Sequence, residues 1–153
     1  MKNILPRLFL LLPVLFTTGC KSGKEKAAPP AENNIDAARS FIRAALDGKF
    51  DLARTYMLAD SVNTNYMDVA ERSYQKTDQE TKNGYRTASI HILPVTEVND
   101  STTIIVYSNS FKNDPDTLRV LRMNGKWLVD LKYLYEHDMD TTLKKPLLND
   151  SLK

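Results

Sequence analysis

Hydrophobic residues recur at helical spacing in the first half of the chain and alternate with polar residues in the second half, with the change near Lys82. Between Asp36 and Asp47 apolar side chains return every three or four positions, which is typical of a helix that buries one face. Shorter patterns of the same kind begin near Asp51 and near Asn63 and predict two further helices. The expected inward face of the third helix is Tyr66, Val69, Ala70, Ser73 and Tyr74.

Four strand-like runs follow, at residues 85–98, 102–111, 117–123 and 126–134. Between the third helix and the first run, residues 76–83 are polar and are interpreted either as an extension of that helix or as a loop. Pro94 interrupts the first run, which indicates an edge position or a bulge. Helices followed by an antiparallel meander predict an α+β fold, with three N-terminal helices packed on one face of a four-stranded sheet.

Asn124-Gly125 is a strong signal for a two-residue hairpin and therefore predicts the register of the last two strands. The expected cross-strand pairs are Met123 with Lys126, Arg122 with Trp127, Val120 with Val129, and Arg119 with Asp130. The core face would then carry Leu118, Val120, Trp127, Val129 and Leu131. The opposite face mixes the Arg119–Asp130 pair with apolar residues, so we expect a partner to cover it, for example a second copy of the chain in a homodimer.

The first 19 residues have the pattern of a secretory signal. Two basic residues precede an apolar stretch at residues 8–16, and small residues lead into Cys20. The apolar stretch is shorter than the roughly 20 residues that cross a membrane as a helix. The alternative is a cytosolic protein with an apolar first helix and a buried cysteine, and Pro6 and Pro13 argue against such a helix.

Thr17-Thr18-Gly19-Cys20 resembles the lipobox of bacterial lipoproteins. Thr17 departs from the aliphatic residue that is usual there, whereas Gly19 and Cys20 match the stricter positions. The resemblance implies cleavage between Gly19 and Cys20 and acylation of the Cys20 thiol, for example with palmitate. Two or more acyl chains hold a protein stably at a membrane. Cys20 is the only cysteine of the chain, so the sequence provides no disulfide.

The expected organisation is a signal peptide at 1–19, a flexible tether at 20–33, one domain at 34–140 and a polar tail at 141–153. The signal contains two of the 21 basic residues and none of the 19 acidic ones, so the mature chain carries 19 of each. This balance gives no basic surface for nucleic acid, and we expect no such partner. Lys21 follows the cysteine where Asp would resemble an inner-membrane retention signal, which favours the outer membrane if the cell is Gram-negative. Surface-export signals of Bacteroidetes lipoproteins usually carry consecutive acids, whereas Glu25 stands alone here, which favours the periplasmic side.

Three short motifs within residues 34–135 resemble the nuclear-transport-factor-2-like superfamily, and in particular bacterial lipoproteins with a lumazine-binding-type domain. They are Ala37-Ala38-Arg39-Ser40-Phe41-Ile42, Asp47-Gly48-Lys49-Phe50-Asp51-Leu52-Ala53 and Gly125-Lys126-Trp127. The resemblance implies helices on a curved four-stranded sheet, a cystatin-like cone. Enzymes of the superfamily, such as ketosteroid isomerases, use an acid or a His–Asp pair inside the cone, and we cannot map such a pair onto this chain.

The residues predict no catalytic set, no cofactor and no metal site. His91 is expected on the surface, opposite Ile90 and Ile92. His137 lies among acids at 136–140, without the cysteine and histidine set that structural zinc prefers. The candidate lining of a pocket for an aromatic ligand is Tyr56, Tyr66, Tyr74, Tyr107 and Trp127, although aromatic residues at such positions also simply fill cores.

Two classes of function therefore stay open. The first is a membrane-anchored cell-envelope lipoprotein whose small, non-enzymatic domain binds a protein partner or a small ligand. The alternative is a cone-fold enzyme, isomerase-like or cyclase-like, that acts on a small hydrophobic substrate. A buried acid in a cavity would favour the enzyme, and an exposed apolar sheet face would favour the binding domain.

Overall fold

A computed structural model describes residues 29–136. The helices are α1 (Asn34–Leu46), α2 (Phe50–Arg54), α3 (Ser61–Lys76) and α4 (Gln79–Thr87), and the strands are β1 (Ile90–Asn99), β2 (Thr102–Asn109), β3 (Asp116–Met123) and β4 (Lys126–Asp130). The strands form one open antiparallel sheet in the order β1-β2-β3-β4. The predicted α+β class is confirmed. The predicted signal peptide, Cys20, residues 20–28 of the tether, His137 and the tail lie outside the described residues.

Helix α1 packs across one face of the sheet, which we call the inner face. Asn33 caps its start, because the Asn33 side chain accepts a hydrogen bond from the Asp36 amide. Gly48, with a φ of +76°, follows its end. The core between α1 and the inner face is formed by Ala37, Ala38, Phe41, Ile42, Ile105, Leu118, Val120 and Val129.

The β3–β4 hairpin has the predicted register, including all four cross-strand pairs. Asn124 and Gly125 have φ values of +51° and +77°, the left-handed pair that a type I′ turn requires. Trp127 contacts the core from the predicted face, but it lies near the tip of the hairpin and is only half-buried. The prediction that it belongs to the core is therefore met only in part.

Between residue 29 and the sheet the chain forms four helices instead of the three predicted, because the polar segment before β1 forms α4. The sequence of α4 has no apolar stripe by which it could be predicted, because the helix buries none of its residues and needs no such stripe. Polar groups hold its two ends instead. The Asp78 side chain accepts from the Thr81 amide at 2.8 Å, and the Arg43 guanidinium donates to the Tyr85 and Ala88 carbonyls at 3.1 and 3.0 Å.

Three further boundaries or faces differ from prediction. Strand β1 starts at Ile90 and not at residue 85, because α4 occupies residues 79–87. The fourth strand ends at Asp130, and residues 131–136 are helical, so Leu131 is buried from a helical turn. In α3, Val69 is exposed and Met67 is buried.

The chain between α2 and α3 pairs with the edge of β4 that faces away from β3. Met57 forms a parallel bridge with Val129, in which the Leu58 amide donates to the Val129 carbonyl at 2.9 Å. The Val129 amide donates in turn to the Tyr56 carbonyl at 2.8 Å. Within residues 29–136, β1 is the open edge of the sheet, with Pro94 at an irregularity in its pairing, as predicted. In residues 29–136, no helix has the length and apolar character needed to cross a membrane.

Candidate functional site

The face of the sheet that points away from α1, here called the outer face, carries apolar residues that are only partly buried. Strand alternation places there Ile104, Val106, Leu121, Leu128 and Met123. Met123 is 48% exposed and the other four are half-buried. The mixed character predicted for the β3–β4 part of this face is therefore present in the fold.

A groove of about 570 Å³ lies on the outer face beside the β3–β4 hairpin. Its apolar surface comes from strands β3 and β4 and from the segment that precedes α3. Charged side chains stand at its rim. Its lining is Leu58, Ala59, Asp60, Leu121, Met123, Asn124, Lys126, Leu128, Asp130 and Lys132. An apolar surface with a few charged groups at its rim is a common form of binding site.

Asp130 is the buried acid of the groove, only 1% exposed, and its carboxylate is fully engaged within the fold. Its Oδ2 accepts from Arg119, with Nε at 3.1 Å and a second bond from Nη2, so the predicted cross-strand ion pair is present. Its Oδ1 accepts from the Asn63 side chain at 3.3 Å and from the Lys132 amide at 3.2 Å. Because both oxygens serve partners of the chain itself, this carboxylate is positioned as a structural group.

Asp60 and Lys132 form a fixed ion pair at the rim, with Lys132 Nζ at 2.8 Å from Asp60 Oδ2. Asp60 is also the N-cap of α3 and accepts from the Val62 and Asn63 amides at 3.0 and 2.9 Å. The Asn63 amide, and then Lys132, hold the pKa of Asp60 well below its ordinary value. The hydrogen bond to Asp60 raises the pKa of Lys132, so both groups stay charged near neutral pH.

The five aromatic residues predicted to line one pocket lie in separate places. Tyr56 and Trp127 border a second, smaller depression of about 270 Å³, together with residues 29–31. Tyr74 packs edge-on against Phe50, with ring centroids 5.4 Å apart. Tyr66, Tyr74 and Tyr107 line neither this depression nor the groove, so a pocket shared by all five rings stays a prediction.

Tyr66 and Tyr107 both lie near Tyr135, toward the end of the described chain. Tyr66 stacks on Tyr135 at 4.6 Å between centroids, and its hydroxyl donates to Glu136 at 2.9 Å. That hydrogen bond raises the pKa of Tyr66. Burial raises the pKa of Tyr107, and the nearby Asp116 carboxylate adds to the effect. Both phenols therefore stay protonated at neutral pH and act as packing and hydrogen-bonding groups.

His91 is exposed on the edge strand β1, as expected. Among residues 29–136, no three His, Cys, Asp or Glu side chains are grouped so that they could hold a metal ion. His137, where no metal site is predicted, lies outside the described residues.

The sequence predicted part of the groove. The mixed character of the outer face indicated Leu121, Met123 and Leu128. The sequence did not indicate that Leu58 and Lys132 line the groove, because they come from segments that meet only in the folded chain.

Comparison of the chain with protein-family models, with curated proteins and with solved structures found no match. The resemblance to the nuclear-transport-factor-2-like superfamily therefore stays a prediction that rests on the short motifs of the sequence.

Proposed function

We propose that this chain is a cell-envelope lipoprotein, cleaved between Gly19 and Cys20 and held by lipid on Cys20, whose domain binds a protein partner or a small ligand without catalysis. The lipobox-like segment 17–20 supports the anchor. The groove on the outer face carries the argument for binding, because it leaves apolar side chains accessible beside fixed charges. For a Gram-negative cell we place the domain at the outer membrane, following the resemblance at Lys21, and on its periplasmic side, because Glu25 stands alone where surface-export signals carry consecutive acids.

The chemistry of the groove favours binding over the alternative of a cone-fold enzyme. A general base needs a carboxylate that can take up a proton from substrate. The buried acid of the groove, Asp130, is instead engaged by Arg119, Asn63 and a backbone amide. Asp60 is similarly occupied by a helix cap and by Lys132.

We also infer a cone of the nuclear-transport-factor-2-like type for the domain. The order of helices before four antiparallel strands supports it, as does the position of Gly125-Lys126-Trp127 at the start of the last strand. The irregularity near Pro94 in β1 is of the kind that bends a sheet.

The anchor is tested by labelling cells with radioactive palmitate. Wild-type protein should take up label and should stay on membranes washed with carbonate. Cys20→Ala should abolish both, because it removes the acylated thiol. Thr17→Leu, which introduces the usual aliphatic residue, is the matched control and should be labelled at least as well as wild type. A wild-type chain that takes up no label would refute the anchor.

The groove is tested with the mature chain, residues 20–153 with Cys20→Ser, and the apolar dye N-phenyl-1-naphthylamine. Saturable dye fluorescence is expected for the parent chain, and Met123→Lys should weaken it, since a charge then enters the apolar lining. Met123 is already 48% exposed, so its replacement should leave folding intact. Val69→Lys, at an exposed apolar residue of α3, is the control. Equal dye binding by both variants would contradict the proposal.

A second copy of the chain is one candidate occupant of the outer face. Sedimentation of the same protein tests it. A dimer that dissociates on Leu121→Lys and persists on Val69→Lys would identify the outer face as a homodimer interface. A monomer at all concentrations would leave the groove to another partner.

A further inference from the structure

The chain enters the domain beside the β3–β4 hairpin. The first described residue, Pro29, accepts a hydrogen bond on its carbonyl oxygen from the Tyr56 hydroxyl at 3.3 Å. Residues 29–31 border the same depression as Tyr56, Lys126 and Trp127. The point where the tether meets the fold therefore lies beside the start of β4, close to the tip of this hairpin.

The start of α1 lies at the same end of the sheet. The Asn34 side chain donates to the Thr103 hydroxyl at 2.8 Å, near the beginning of β2. The Arg122 amide donates to the Ser101 carbonyl at 2.8 Å, which places the β1–β2 and β3–β4 turns side by side. Both turns and the entry of the chain thus share one end of the sheet.

The hairpin tip, residues 122–127, has a composition unlike the rest of the balanced chain. Arg122 and Lys126 are exposed, and no acid occurs between them. Met123 is 48% exposed. The Arg122 guanidinium lies 5.6 Å from the centroid of the half-buried Trp127 ring. The tip thus has a cation on each side of an exposed methionine, and a tryptophan directly after the second cation. Such a set suits a lipid headgroup layer, where phosphates meet the first methylene groups. The neighbouring turn carries one acid, Asp100.

The length of the tether limits how far this tip can stand from the anchor. Nine residue steps separate Cys20 from Pro29. Even fully extended, they span only about 30 Å, at roughly 3.3–3.6 Å per residue. A tip attached so close to a membrane experiences a high effective concentration of lipid, so a contact that is weak by itself becomes populated.

We propose that the β3–β4 hairpin tip rests on the headgroup layer of the membrane that holds the lipid anchor, with Arg122 and Lys126 on anionic phosphates and Met123 and Trp127 at the interface. This inference rests on the proposed acylation of Cys20. It orients the domain with the hairpin end toward the membrane, and the end that carries the β2–β3 turn points away from it.

Trp127 is the only tryptophan of the chain, so its fluorescence reports on the tip directly. The test uses the acylated mature protein in vesicles of phosphatidylethanolamine and phosphatidylglycerol, with a fraction of the lipid brominated on acyl carbons near the headgroup. Strong quenching of Trp127 is expected. The double change Arg122→Glu with Lys126→Glu should remove most of the quenching, and Asp100→Lys should increase it.

The matched control is Arg86→Glu with Lys112→Glu, which makes the same change of charge at exposed residues near the opposite end of the sheet. In this control variant, Trp127 fluorescence should be quenched as strongly as in the wild-type protein. Vesicles that carry the wild-type protein on flotation but leave Trp127 unquenched would overturn the inference and leave the anchor intact. Quenching that survives the tip reversal would also overturn it, because the anchor alone would then hold Trp127 near lipid. A wild-type protein that fails to float would refute the proposed anchor itself.

Discussion

The two faces of the sheet carry similar apolar residues but differ in how far those residues are buried. Ile105, Leu118, Val120 and Val129 of the inner face are 0% exposed under α1. On the outer face, Ile104, Val106, Leu121 and Leu128 are only half-buried among the described residues. Residue type alone does not separate the two sets, since both consist of Leu, Ile and Val. The two sets differ because α1 covers only the inner face. Burial under α1 makes the inner face a source of stability, whereas the outer face is available for contact.

The largest expected difference between the faces is in the cost of truncating a leucine. Leu118→Ala should lower the free energy of unfolding by about 2–5 kcal/mol, because it empties a fully buried site. Leu121 lies on the same strand but on the outer face. Leu121→Ala should lower the free energy of unfolding by roughly 1 kcal/mol or less. Urea unfolding of residues 20–153 followed by circular dichroism measures both. Equal costs would mean that the outer face is buried to the same degree in solution.

A second change tests the contact between α3 and Asp130, which is the buried residue of the outer face. Asn63 is 0% exposed, and its side chain donates to Asp130 and accepts from the Leu131 amide at 2.6 Å. Asn63→Ala leaves a buried amide and part of a buried carboxylate unpaired, which should cost about 1–3 kcal/mol. Asn65→Ala, at an exposed position of the same helix, is the control and should stay within about 0.5 kcal/mol of the parent chain. If the two variants unfold at the same urea concentration, Asn63 does not support Asp130 in solution.

The sequence predicted the hairpin best, for a local reason. Asn124-Gly125 adopts the left-handed conformations that its residue types favour, and the register of β3 and β4 follows from that turn. The stripe of α1 was equally predictable, since Ala37, Ala38, Phe41 and Ile42 share one side of a helix. In both cases the deciding contacts lie close together along the chain.

The errors arise where distant residues decide the structure. Helix α4 has no apolar stripe, and its end is held by Arg43, more than forty residues away. Helical spacing predicts that Val69 faces inward, whereas α3 turns Asn63 and Met67 toward the domain, in line with the contact between Asn63 and Asp130. Helical spacing also does not reveal which helices converge, so it could not indicate that Tyr56 borders one depression with Trp127 while Tyr74 packs on Phe50.

The smallest expected effect concerns the ion pair at the rim of the groove, and it appears as a pH dependence. The pKa of Asp60 is depressed in the folded chain by the Asn63 amide and by Lys132. A depressed carboxyl pKa contributes stability above its unfolded value, about pH 4, and that contribution is lost as the pH falls toward the folded value. The urea midpoint of the parent chain should therefore decrease below about pH 4 in part through Asp60.

Asp60→Asn isolates this charge, because asparagine caps helices as well as aspartate does. The variant should unfold at lower urea than the parent near pH 7, and the two curves should converge as the pH falls below about 4. Lys132→Met should shrink the difference without abolishing it, because the Asn63 amide contributes more to the pKa of Asp60 than Lys132 does. Curves that stay parallel from neutral to acidic pH would show that Asp60 supports α3 through its cap geometry alone. In that case the rim of the outer face would carry no fixed ion pair in solution, and the contrast between the faces would rest on burial only.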